Sequence, residues 1–364
     1  MQNLIEPNLV EIVDAKISQV RTKSLDMSFN ELLDMYEDGE LIISPDYQRL
    51  FRWEDGKQSR FIETLILELP LPPIFVIEIE DGRYELIDGL QRVSSYLRFR
   101  GELKGWNKLK LESCDIIPEL NGYTYEEFPS TIKFKLKRNF IRVEVLRKES
   151  DINLRYHMFK RLNSGGEILS QQEIRNCTIR ILNPQINEFI IDMSNNINYK
   201  STISKLSDDD VEKKRNEELI LRFFTLKNNL QNYFHPFDIY LTRYMEGIAN
   251  NIEPFNYDLE KNNFEKTFLV LNQILGEYVF STKRFKTGKY QNNFVQYYYD
   301  GLILGIQKYL DKIIEFNDFE KLKPIIENIK DNEELDKART GSKSNIKRRI
   351  KIVEEELEKF FNDN

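Results

Sequence analysis

A chain of 364 residues, 40% apolar and with a net charge of −7, has the material for two or three domains around ordinary buried cores. The charge excludes a protein that coats nucleic acid by bulk electrostatics, so any nucleic-acid site has to be local. Two distant cysteines, Cys114 and Cys177, exclude a disulfide framework and a structural zinc site.

In chain order, the N-terminal stretch MQNLIEPNLVEIVDAK has no basic start followed by an apolar run. No run anywhere approaches ~18 apolar residues, so neither a signal peptide nor a membrane span is expected, and a reducing cytoplasm fits. The segment SFNELLDMYEDGEL predicts a helix, with Phe29, Leu32, Leu33 and Tyr36 at helical spacing, Ser28 as cap and Gly39 as stop. LIIS reads as a short strand before Pro45, and QSRFIETLILEL as a helix ended by PLPP. PIFVIEIE and RYELID, joined by Asp81-Gly82, predict a hairpin. LQRVSSYLRF returns to helical spacing, so the chain switches from strand to helix at Asp88-Gly89. Residues 101–137 read as broken and polar, and FIRVEVL alternates as a strand. INLRYHMFKRLN and SQQEIRNCTIRIL read as helices flanking the loop NSGGEIL. After about Ser204 long amphipathic segments predict an all-helical lobe. The expected class is α/β (α+β), with domains at 24–200 and 205–364.

The strand-to-helix switch, Asp88-Gly89-Leu90-Gln91-Arg92, is the first candidate site. The first N–H groups of a helix have no internal partners and favour an anion, and glycine lets a phosphate come close. Arg92 can fork onto phosphate oxygens, Gln91 can orient water or phosphate, and Asp88 can hold Mg²⁺, a ribose hydroxyl or Arg92 itself. The alternative is a helix cap with an internal Asp88–Arg92 pair. A second stretch, Tyr47-Gln48-Arg49 followed by Arg52-Trp53, groups stacking and cationic side chains and repeats the Gln-Arg pairing. Arg49 and Arg92 on adjacent loops would form a phosphate clamp, whereas the alternative for Tyr47 and Trp53 is that they anchor the loop in the core, the favoured reading for Trp53.

The blocks PDYQRLFRW, LPLPPIFV, LIDGLQR and FKRLNSGGEILSQQEIRN, in this order across roughly residues 24 to 180, resemble the N-terminal domain of GmrSD-type modification-dependent restriction enzymes, a ParB/sulfiredoxin-like fold. Leu90 stands where that family usually has glutamine, which bears on nucleotide preference, while Asp88, Gly89, Gln91 and Arg92 match. The resemblance implies binding and hydrolysis of a nucleoside triphosphate, GTP or ATP, with Mg²⁺, coupled to defence against foreign and often modified DNA. It implies that Gln48, Arg49, Gly89, Arg92, Asn163 and Gly165 bind the nucleotide, with Asn163, Gly165 and Gly166 in a loop facing the site and Glu173 and Arg175 on the next helix. A helix–loop–helix connection with those two residues exposed is the alternative.

Many members of that family carry a C-terminal HNH nuclease domain, and no such His/Asn/His cluster is expected here, since the histidines are His157 and His235 alone. Cutting of DNA would then fall to a partner nuclease. The basic run Lys343, Lys347, Arg348, Arg349 and Lys351 begins a helix, where cations oppose the dipole, and is the candidate DNA contact. Its alternative is a solvated face paired with Glu354 to Glu356. Asp208 to Asp210 read as helix N-terminal charge. The expected function is a cytoplasmic nucleotide-hydrolysing DNA sensor, with a partner nuclease or a homo-oligomer as its assembly. A non-hydrolysing DNA-binding module and a stand-alone nuclease are the other readings.

Overall fold

The computed structural model describes residues 9–19, 21–48, 50–163, 170–283 and 288–363. The chain divides into two compact units, residues 1–169 and 170–364. The sequence placed the division after residue 200. Residues 171–202 instead supply three helices of the second unit, whose Ile179, Ile186, Ile190 and Tyr199 join its core.

The first unit runs α1 (Leu9–Ser18), β1 (Thr22–Ser28), α2 (Phe29–Glu37), β2 (Leu41–Ile42), α3 (Pro45–Gln48), α4 (Asp55–Ile66), β3 (Ile74–Glu78), β4 (Tyr84–Asp88), α5 (Leu90–Arg100), α6 (Ser130–Arg138), β5 (Phe140–Leu146) and α7 (Ile152–Asn163). Its five strands form one mixed sheet in the order β1-β5-β3-β4-β2. β3 and β4 are the expected antiparallel hairpin, with Glu78 opposite Tyr84, and Asp81 takes the left-handed conformation in the turn. The alternation of β5 buries Ile141, Val143 and Val145 and turns Phe140 and Arg142 outward. Ser28 caps α2 by accepting the Glu31 N–H at 3.1 Å, as its position predicts. Phe29, Ile62, Leu65, Val93, Leu97 and Phe99 are buried within the unit, each such side chain contributing roughly 1.5–3 kcal/mol.

Several elements escaped the sequence reading, α1, β1 and α6 among them. α1 exposes Leu9, Val10, Ile12, Val13 and Ile17, and nothing in it is buried. β1 carries too few apolar residues to announce a strand and is held by antiparallel pairing along the whole length of β5. α6, STIKFKLKR, lies inside the stretch read as broken; it buries Leu136 alone, so its face has almost no apolar period.

Apart from one isolated bridge, Lys283–Tyr290, the regular elements described in the second unit are helices: α8 (Gln171–Ile179), α9 (Gln185–Ser194), α10 (Ile197–Thr202), α11 (Asp208–Glu212), α12 (Arg215–Asn229), α13 (Phe237–Ala249), α14 (Tyr257–Leu275), α15 (Gln296–Gly305), α16 (Leu310–Phe316), α17 (Phe319–Lys330), α18 (Glu333–Lys337) and α19 (Lys343–Asp363). Phe223, Phe264, Phe268 and Tyr199 interlock at its centre, with ring centroids 4.5 Å apart for Phe264–Phe268 and 4.8 Å for Tyr199–Phe268. Among the described residues no helix is long and apolar enough to cross a membrane.

Candidate functional site

β4 ends at Asp88, Gly89 turns the chain with φ +100°, and α5 begins at Leu90 with no side chain capping it. Its first backbone N–H groups have no partner within the helix. Gly89 is required on two counts. A Cβ there would lie 2.3 Å from Cγ2 of Ile74 on β3, and its left-handed backbone disfavours any side chain. Close packing of helix start on strand, rather than ligand approach alone, demands the glycine.

Arg92, one turn along α5, donates to Asp88 Oδ2 at 3.2 Å and to the carbonyl of Pro72. The two side chains are 14% and 31% exposed, so this is a half-buried pair with one open side. Burial pushes the Asp88 carboxyl above its ordinary value, against the pull of Arg92 and of the Gly89 N–H. Burial likewise lowers the Arg92 guanidinium, with Asp88 and Tyr47 opposing it. Burial thus disfavours the charged form of both groups, and each partly offsets that for the other.

The expected meeting of the two loops is present. The Tyr47 hydroxyl donates to the carbonyl of Ile87 at 3.0 Å. Gln91 accepts the N–H groups of Arg52 and Trp53 at 3.1 Å each, and donates to the carbonyl of Leu50 at 2.6 Å. Here the expectation for Gln91 is corrected: its side-chain amide staples the loop 50–53 to α5, and the role of orienting water or phosphate has no support in this geometry. Tyr47 is 4% exposed and is a loop anchor. Trp53 packs against Phe61 at 6.0 Å, with Lys57 over its ring. Gln48 closes the short helix α3 and is half-buried.

Arg49, Gly165 and Gly166 lie outside the described residues. Asn163 ends α7, and its side chain lies outside them too. Glu173 and Arg175 are neither exposed nor part of an open loop. Glu173 completes a capping box with Ser170, and Arg175 is 2% exposed and bonds Glu218 at 2.8 Å and Gln172 at 2.8 Å inside the helical unit.

No described group of three or more His, Cys, Asp or Glu side chains is placed to hold a metal ion. Asp88 is a single, partly exposed carboxylate already paired with Arg92. His157 is exposed on α7 against Tyr156, and His235 bonds the hydroxyl of Tyr233 at 3.1 Å.

The basic run at the start of α19 does not act as a unit. Arg349 is 1% exposed, pairs with Asp300 at 3.2 Å and donates to the carbonyls of Ala338 and Thr340. It is thus corrected from a DNA contact to a core residue, because the buried face of α19 passes through position 349. Arg348 is exposed and pairs with Glu334, and Lys351 pairs with Glu355 at 3.4 Å. Lys347 is exposed and, with Lys343, Tyr233 and His235, borders a shallow cavity of about 570 Å³. Asp208 to Asp210 form the first turn of α11, capped by Ser207, as expected.

Sequence inspection missed the carbonyl of Pro72, which shares Arg92 with Asp88. The only signal was PLPP, read as a helix stop and not as a wall of the site.

Residues 29–180 match the family described as GmrSD restriction endonuclease, N-terminal domain. Over those residues the chain is similar to that family. No curated protein and no solved structure matches the chain.

Proposed function

We propose that this chain, carrying a GmrSD restriction endonuclease N-terminal domain, is the nucleotide-binding component of a restriction-type defence system and passes a nucleotide-dependent signal to DNA or to a partner nuclease. The supporting observation is the uncapped start of α5, with Arg92 half-buried and open on one side beside Asp88. Phosphates of GTP or ATP would accept from the first N–H groups of α5 and from Arg92. Mg²⁺ would be shared between those phosphates and Asp88, where it neutralises phosphate charge. Tyr47 and Gln91 act as positioning residues that hold the loop 50–53 against the site.

Titration calorimetry with GTP and with ATP, each with Mg²⁺, tests the reading. Binding of at least one nucleotide that Arg92→Ala weakens, in a protein of unchanged melting temperature, is the expected result; no binding of either overturns it.

A second reading is binding without turnover. It is favoured by Gln91, whose amide is engaged by the loop and is not free to orient an attacking water. Phosphate release measured with and without DNA separates a hydrolysing sensor from a nucleotide-held DNA-binding module. Metal-dependent nicking of plasmid by the purified chain, abolished by Asp88→Ala, would replace both with a nuclease.

A further inference from the structure

A cavity of about 870 Å³, with no residue of α5 in its lining, lies between α6, the first residues of β5 and the segment 68–71. Three large apolar side chains stand exposed around it: Phe134 at 53%, Phe140 at 64% and Leu69 at 43%. Such a cluster on one concave surface marks a binding site more often than chance exposure does.

Its charge is as distinctive as its rings. α6 places Lys133, Lys135, Lys137 and Arg138 within nine residues and has no acid. The two carboxylates that line the cavity are both paired, Asp26 with Arg142 at 3.1 Å and Glu68 with Lys135 at 3.4 Å. Among the described residues Arg138 has no carboxylate partner, and its guanidinium rests 5.6 Å from the ring centroid of Phe134. Cations in the last turn of α6 complement the helix dipole, but the dipole gives no reason to expose two phenylalanines beside them. An acidic peptide would satisfy the charge and leave the flat rings unexplained. Exposed aromatic faces beside one cation without a carboxylate partner, Arg138, suit a single strand of nucleic acid, since bases stack on the rings while a backbone phosphate meets the positive charge.

We infer that the α6–β5 cleft binds a single-stranded segment of DNA, with bases stacked on Phe134 and Phe140 and a backbone phosphate held by Arg138. The inference rests on the proposed function only in taking DNA as the partner, and it places the contact on the first unit instead of on α19. The cleft wall Leu69-Pro70-Leu71 runs directly into Pro72, whose carbonyl holds Arg92. Strand binding and nucleotide binding therefore meet on one short segment, and any change that one makes in the other's affinity is returned by the same factor.

The test is fluorescence anisotropy of the full chain with a labelled oligothymidine strand and with a duplex of equal length. Phe134→Ala with Phe140→Ala should weaken strand binding roughly tenfold or more, and Arg138→Glu should weaken it and flatten its salt dependence. Both variants change exposed side chains, so melting temperature and nucleotide affinity without DNA should stay at wild-type values. Wild-type strand affinity in the ring variant overturns the cleft, as does a wild-type chain that binds no single strand. A ring variant that turns a dimer into a monomer while binding the strand normally makes the cleft an interface between copies and also overturns it. Loss of strand binding in the cleft variants from a chain that binds no nucleotide at all upholds the cleft and defeats the nucleotide reading alone.

Discussion

Two aspartate–arginine sites show what burial does to the same chemistry. In the first unit Asp88 and Arg92 are four residues apart on one strand–helix turn, make one bond at 3.2 Å and keep one side open. In the second, Asp300 on α15 receives Arg222 of α12 at 2.5 and 2.7 Å and Arg349 of α19 at 3.2 Å, and each side chain is 8% exposed or less. Burial opposes the charge on Arg222, but the Asp300 carboxylate more than offsets it, and the guanidinium stays above its ordinary value. At Arg349 burial wins and the value falls. The buried cluster joins three helices and has no room for a ligand. The open pair is local, half-hydrated and able to exchange one partner for an anion. Identical residue types are thus sealed into packing in one unit and left partly exposed in the other, where the proposed nucleotide site lies.

The largest expected effect comes from breaking the buried cluster. Asp300→Ala leaves two arginines buried without their carboxylate and should destabilise the protein by about 3–5 kcal/mol, read as a loss of denaturant midpoint. A loss below 1 kcal/mol would mean that the arginines reach water, and the contrast would fail. Gly89→Ala comes next, at about 2–4 kcal/mol, because the new methyl must displace Ile74 on a left-handed backbone. Gly89→Ala melting at the wild-type temperature would show that β3 yields at Ile74. Arg92→Ala should weaken nucleotide binding by about 1.5–3 kcal/mol in calorimetry with little change in stability, and Arg92→Lys should restore only part because a point charge has no fork.

The smallest effect sharpens the contrast from the other side. Lys330 is 6% exposed, donates to the carbonyl of Tyr278 at 2.9 Å, and among the described residues has no carboxylate within ion-pair distance. Burial lowers its ammonium to about 7, with Glu327 and Asp331 opposing and Lys283 adding to the shift. The unfolded chain then holds the proton that the folded chain releases between about 7 and the ordinary lysine value of 10.5. Stability from this group is present above that upper value and is lost as pH falls through 7. Lys330→Met should raise the melting temperature at pH 6, by a stability gain on the order of 1 kcal/mol, and much less at pH 10. Equal shifts at both pH values would show that Lys330 stays charged when folded.

The sequence by itself determined the features that depend on near neighbours. The hairpin at Asp81-Gly82, the helix cap at Ser28, the strand-to-helix switch at Gly89 and the helical character of the second unit follow from periods and turn residues a few positions apart. The proximity of the 47–53 and 88–92 loops was also legible, from a repeated Gln-Arg pair and the family blocks that contain it. Tertiary structure alone decided what each side chain does once there. Gln91 became a staple because the carbonyl of Leu50 and two loop N–H groups arrive beside it from forty residues away. Arg349 looked like its neighbours Lys347 and Arg348, but a helix turns ~100° per residue and carries it into the core. β1 and α6 have little apolar period of their own; β1 forms because β5 pairs along its length, and α6 packs against α2 and α4. Local pattern encodes which backbone forms, whereas burial, partner and charge state come from residues distant in sequence, and only the folded chain brings those together.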